Sequence, residues 1–149
     1  LEVKTMPFET GPHVQAACFC ETVLQDKATN TLSLIRIIDR VTHNVQATSP
    51  PDDMPAFHHK MMLVIMLQSD QARGRHTVTV LPELPSGLTG DTMFEATVNF
   101  GVGGSGQNIV VNLSYEFQLE GLYRFRVYLN EEFLTALPFH VQYNRITTR

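Results

Sequence analysis

The sequence has no tryptophan and only two cysteines, Cys18 and Cys20, in 149 residues. On an extended chain, residues two apart lie roughly 6.5–7 Å apart at Cα, at or beyond the reach of a disulfide. Two thiols also fall short of the four ligands of a closed zinc site. They are expected as small buried apolar side chains in a reducing compartment, which points to the cytoplasm. Charge is scarce as well: Asp, Glu, Lys and Arg make up 17% of the chain, with a net charge of −4. A sequence pI near 5.8 leaves no basic footprint for nucleic acid. Long apolar runs are missing too. The longest, from Met61 to Leu67, cannot span a bilayer, and Leu1 to Lys4 lacks the apolar core of a signal peptide. Membrane and nucleic acid are therefore not expected as partners.

What is present is period-two alternation. Ile109, Val111, Leu113, Tyr115, Phe117 and Leu119 alternate with mostly polar neighbours, which implies one buried and one wet face of a strand. After Gly121 the pattern resumes with Tyr123, Phe125, Val127 and Leu129, then with Phe133, Leu137, Phe139, Val141 and Tyr143. Upstream, Val14 to Leu24, Gly74 to Leu81 and Thr92 to Phe100 read as strands. Met61 to Leu67 reads as a strand buried on both sides. Leu32 to Val41 has helical spacing but β-branched composition, which favours a strand over a short helix. Thr48 to Pro55 carries three prolines and must be a connection, one that could cross between sheets. The expected architecture is a single all-β sandwich, immunoglobulin-like or jelly-roll, of about seven to nine antiparallel strands over residues 14–143. Residues 1–13 read as a lead-in and 144–149 as a tail. Pro138 cannot donate to a ladder, which suggests an edge position for the last strand.

Candidate chemistry is thin. His58 and His59 precede the methionine-rich Met61, Met62 and Met66, but adjacent residues on a strand point to opposite faces and cannot easily share one ion. His43, His76 and His140 complete a metal site only if the fold gathers them. Gly101 to Gly106 lacks the Lys-Ser/Thr of a phosphate loop and precedes a strand. Arg36, Asp39 and Arg40 sit inside an apolar segment, where pairing across strands, such as Asp39 with a neighbouring arginine, or a partner-contact surface would account for them. No serine lies in a nucleophile-elbow pattern. Catalytic residues, cofactors and a metal are therefore not expected.

Two resemblances add to this. Leu119-Glu120-Gly121-Leu122-Tyr123-Arg124-Phe125 resembles the tyrosine corner of immunoglobulin-like sandwiches. That likeness implies Gly121 as the small corner residue, Tyr123 as the tyrosine whose hydroxyl bonds back to nearby backbone, and Phe125 in a core position that antibody domains give to cysteine. Cys18 to Glu21, Leu32 to Arg40, Gly121 to Phe125 and Leu137 to Val141 together resemble an uncharacterised family of small bacterial β-domain proteins. This second likeness implies a bacterial cytosolic β-domain and transfers no site.

The expected role is a non-catalytic module that binds a protein partner or assembles with itself through an edge strand. Arg36, Asp39, Arg40, His58 and His59 are the candidate contact residues. The alternative is a small metal- or ligand-binding sandwich using the histidines.

Overall fold

The computed structural model describes residues 7–104 and 106–149. Nine strands fill them: β1 (His13–Gln25), β2 (Leu32–Ile38), β3 (Arg40–Ala47), β4 (Phe57–Gln68), β5 (Gly74–Glu83), β6 (Phe94–Phe100), β7 (Gln107–Phe117), β8 (Gly121–Leu129) and β9 (Glu132–Thr147). They form a four-stranded sheet in the order β2-β1-β4-β7 and a five-stranded sheet in the order β3-β9-β8-β5-β6. The all-β sandwich is thus the architecture of the chain, and the described residues contain no helix.

Leu32 to Val41 is two strands rather than one. β2 pairs with β1 in the first sheet, and after Asp39 the chain switches to the second, where β3 runs parallel to β9. The proline-rich connection after β3 then returns to the first sheet at β4. It is pinned on the way, because Met54 is buried and the Tyr143 hydroxyl donates to the Pro51 carbonyl at 2.7 Å. Residues 144–147 are no tail. They continue β9 in register with β3 as far as Thr147, opposite Ala47.

The core is aromatic and lies between the sheets. Phe19 meets Phe125 edge-on at 5.0 Å and Phe139 at 5.6 Å, while Phe117 stacks on Phe139 at 5.5 Å. These geometries suit the ring quadrupole and add to the area each ring buries. Beside them the tyrosine corner closes. The Tyr123 hydroxyl donates to the Leu119 carbonyl at 2.7 Å and accepts the Leu119 N–H at 3.1 Å. The side chain is buried, so these two bonds satisfy a hydroxyl that burial would otherwise make costly.

Two expectations change in β9. Phe133 faces outward, not into the core, because one extra residue enters the ladder where Val127 pairs with Thr135 but Tyr128 pairs with Phe133. A one-residue bulge flips every side chain beyond it to the other face. Phe133 accordingly packs on Tyr128 and lies under the Arg126 guanidinium at 4.8 Å. Pro138 does not mark an edge strand as such, since β9 lies between β3 and β8. The edge is local. β3 joins only from the Arg40–His140 pair onward, so among the described residues the first half of β9 has a neighbour on one side alone.

Candidate interaction surface

The five candidate contact residues do not converge on one site. Arg36 Nε reaches Glu21 Oε2 at 3.3 Å across the β1–β2 pair, and Arg40 Nε bonds its own neighbour Asp39 Oδ1 at 3.1 Å. Asp39 therefore pairs within the sheet-switching corner and not with an arginine on a neighbouring strand. That bond, and the charge behind it, hold its carboxyl below the usual range. None of these charges is buried, because β2 is an edge strand and Asp39 sits in the corner between sheets. Exposed pairs of this kind contribute little to stability.

His58 and His59 do point apart. His58 is exposed, 3.4 Å from Glu116 Oε2. His59 points inward, its ring 6.4 Å from that of Phe139, and its Nε2 is buried without a partner. His43 stacks on Phe57 at 4.2 Å with the Tyr143 ring 6.4 Å away, and His76 is held by the Arg73 carbonyl and Asn130. Among the described residues no three His, Cys, Asp or Glu stand close enough together to hold a metal. Cys18 and Cys20 are free, and burial pushes both thiols up, Cys18 further so beside Cys20. A thiol held protonated in this way is a poor ligand and nucleophile.

His59 carries a pH dependence. Burial pushes its imidazole below its ordinary value, and the Glu21 carboxylate opposes this more weakly. As pH falls below about 6.5 the unfolded chain takes up this proton before the folded one does. Stability should therefore be intact above that pH and fall as pH drops through the window down to the folded value, by at most about 1.4 kcal/mol per pH unit. In denaturant titrations between about pH 5 and 7, His59→Gln should flatten that slope relative to the parent.

A larger feature lies in the β1–β2 hairpin. β1 runs antiparallel to β4, with Cys20 opposite Met62 and Ala16 opposite Met66, so a straight continuation would carry the hairpin tip away from Met66. Instead Thr29 to Leu32 line one cavity together with Met66, Gln68 and Asn108. The ribbon has doubled back over the outer face of the four-stranded sheet. Its bend lies at Glu21 and Arg36: Arg36 has φ 55°, and the Glu21–Arg36 pair is missing from an otherwise continuous ladder. Left-handed backbone at a non-glycine residue of this kind re-aims a strand at local cost.

The fold-back explains two burials that lie outside the aromatic core. Val64 and Cys20 belong to the outer face of that sheet, yet neither has any exposed surface. It also fixes what the ribbon shows to solvent. Val23, Leu32 and Leu34 are half-buried. Leu24, Ile35 and Ile37 are exposed at 55%, 46% and 62%. Cross-strand pairs Thr22–Ile35 and Leu24–Ser33 set Leu24 and Ile35 on one face of the ribbon, Ile37 lies beyond the bend at Arg36, and among the described residues no strand pairs with the far edge of β2.

A second opening follows the other edge of the same sheet. A cavity of about 460 Å³ is lined by Leu113, Ser114, Tyr115 and Glu116 of β7 and faced by Gly90 to Met93, with Leu84 and Tyr123 at its floor. Sequence reasoning missed both openings, as it missed the His13–Asp70 pair at 2.8 Å that ties the start of β1 to the β4–β5 turn. Exposed apolar residues on β1 and β2 were legible as letters. Their grouping depends on the bend at Arg36, which left no mark in the hydrophobic pattern.

Comparison with known proteins adds the following. The model of a family of unknown function, DUF6941, matches residues 15–142. No curated protein matches the chain. Among solved structures, an immunoglobulin-like protein from Pseudomonas aeruginosa is 14% identical, with a TM-score of 0.40 over 89% of this chain and 97% of that one. A β-glucosidase from Listeria innocua is 9% identical, with a TM-score of 0.49, over 87% of this chain but 17% of the enzyme. An alkylpurine DNA glycosylase from Pseudomonas fluorescens is 13% identical, with a TM-score of 0.45, over 66% of this chain and 27% of that protein.

Proposed function

The chain belongs to DUF6941, a family of unknown function, and we propose that it is a non-catalytic interaction module that assembles with a second copy through the β1–β2 ribbon. The observation that carries this reading is the exposure of Leu24, Ile35 and Ile37 on a ribbon whose outer strand has no other neighbour than β1 among the described residues. Clustered apolar side chains beside unpaired backbone groups form a template for another strand. A two-fold arrangement suits this element. Antiparallel pairing of β2 with its own copy about Ile35 sets Ile35 opposite Ile35 and Leu32 opposite Ile38. Support for a non-catalytic role is the separation of the histidines and the raised thiols described above.

Light scattering after gel filtration tests it. The parent protein should elute as a discrete dimer, and Ile35→Lys with Ile37→Lys should elute as a monomer with an unchanged circular dichroism spectrum. Both side chains are exposed, so the substitutions remove the apolar contact with little effect on the fold. A parent protein that stays monomeric at high concentration would overturn self-assembly and direct attention to a different protein partner for the same ribbon.

A further inference from the structure

At the edge opposite the ribbon, the first sheet ends in β7, which among the described residues pairs with β4 alone. The four consecutive residues Leu113 to Glu116 all line the 460 Å³ cavity beside it. Successive side chains of a strand point to opposite faces, so only the edge of β7 can present all four to one space. The opposite wall, Gly90 to Met93, is already committed to β5: Gly90 N–H donates to the Pro82 carbonyl and Met93 N–H to the Val80 carbonyl, both at 2.8 Å. That wall therefore bounds the opening without filling it.

The lining divides by chemistry. Leu84, Met93, Leu113 and Tyr115 are half-buried and apolar on the side facing the interior of the sandwich. Asp91 and Glu116 are exposed at the mouth, and among the described residues no lysine or arginine lines the opening. An unpaired ladder, an apolar floor and an acidic mouth together describe one kind of occupant.

We propose that this opening is a second docking site, which takes an extended peptide segment of another protein as an added strand along β7. The segment carries apolar residues at alternate positions and lysine or arginine between them. Its backbone completes the ladder, its apolar side chains fill the floor, and its cations face Asp91 and Glu116. This is the strand-addition mode, in which the main chain supplies affinity and alternate side chains supply selectivity. The site lies on the far edge of the sheet from the ribbon and does not depend on it.

The probe is a fluorescently labelled seven-residue peptide alternating lysine and valine, titrated with the full chain and followed by anisotropy. Saturable binding is expected, with slowed amide exchange confined to a β7 segment around Leu113 to Glu116. The same peptide with proline at its central position should not bind, since proline cannot donate to the ladder. Asp91→Lys combined with Glu116→Lys should weaken binding about tenfold or more, while Glu131→Lys, outside the opening, should leave it unchanged. No binding to a folded parent protein would overturn the proposal. So would equal binding of the proline-bearing peptide, or binding indifferent to the two charge reversals.

Discussion

Phe125→Ala should lower the unfolding free energy by about 3–5 kcal/mol, the largest loss expected of any single truncation in this chain. Phe125 has no exposed surface, and its ring meets Phe19 at 5.0 Å, Tyr115 at 5.4 Å and Phe139 at 6.3 Å. These rings come from β1, β7 and β9, so Phe125 of β8 joins both sheets of the sandwich. Truncation removes the transfer energy of the ring and opens a cavity that two paired sheets cannot easily collapse into. Since domains of this size have only about 5–15 kcal/mol in total, the variant should be marginal at best. Urea titration of Phe125→Leu, which keeps most of the volume, should show a smaller loss of about 1–2 kcal/mol. Equal losses for both variants would mean that ring contacts, and not volume, hold the sheets together.

The second large effect belongs to Gly121, where a side chain meets two separate obstacles. Its φ of +124° lies in a region that L residues rarely adopt, and a Cβ there would stand 2.9 Å from Cβ of Pro85. Backbone strain and overpacking together should make Gly121→Ala cost on the order of 3 kcal/mol. Adding Pro85→Gly tells the two apart by a double-mutant cycle. The double variant should recover the steric share and leave the backbone share. Full recovery would show that Gly121 is needed for space alone.

Much of the architecture is legible in the sequence itself. The alternation of β7 and β8, the tyrosine corner and the proline-rich crossing between sheets all follow from residue types at fixed spacing. What stayed hidden has long-range or single-residue causes. The parallel pairing of β3 with β9 unites segments that no local pattern links. The bulge near Leu134 reverses Phe133 without altering its apolar letter. The surface features depended on such details most of all. Leu24, Ile35 and Ile37 read as ordinary strand residues until the left-handed turn at Arg36 carries the ribbon back over the sheet. The charges that drew attention, Arg36, Asp39 and Arg40, are ion-paired in the structure, two of them with each other.

The parallel pairing of β3 with β9 also bears on how the chain is made. Thr42 donates to Gln142 at 3.2 Å, and Asn144 donates to Asn44 at 2.9 Å, each pair 100 residues apart. Among the described residues β3 has no other neighbour in its sheet. On a ribosome adding about 5–20 residues per second, β3 emerges about 5–20 s before β9. Its polar outward positions, Thr42, Asn44 and Gln46, leave it less adhesive through that wait than an apolar edge would be. Sandwiches dominated by such distant pairings fold in about milliseconds to seconds, so in the cell the arrival of β9 sets when this domain can close, not the folding step itself.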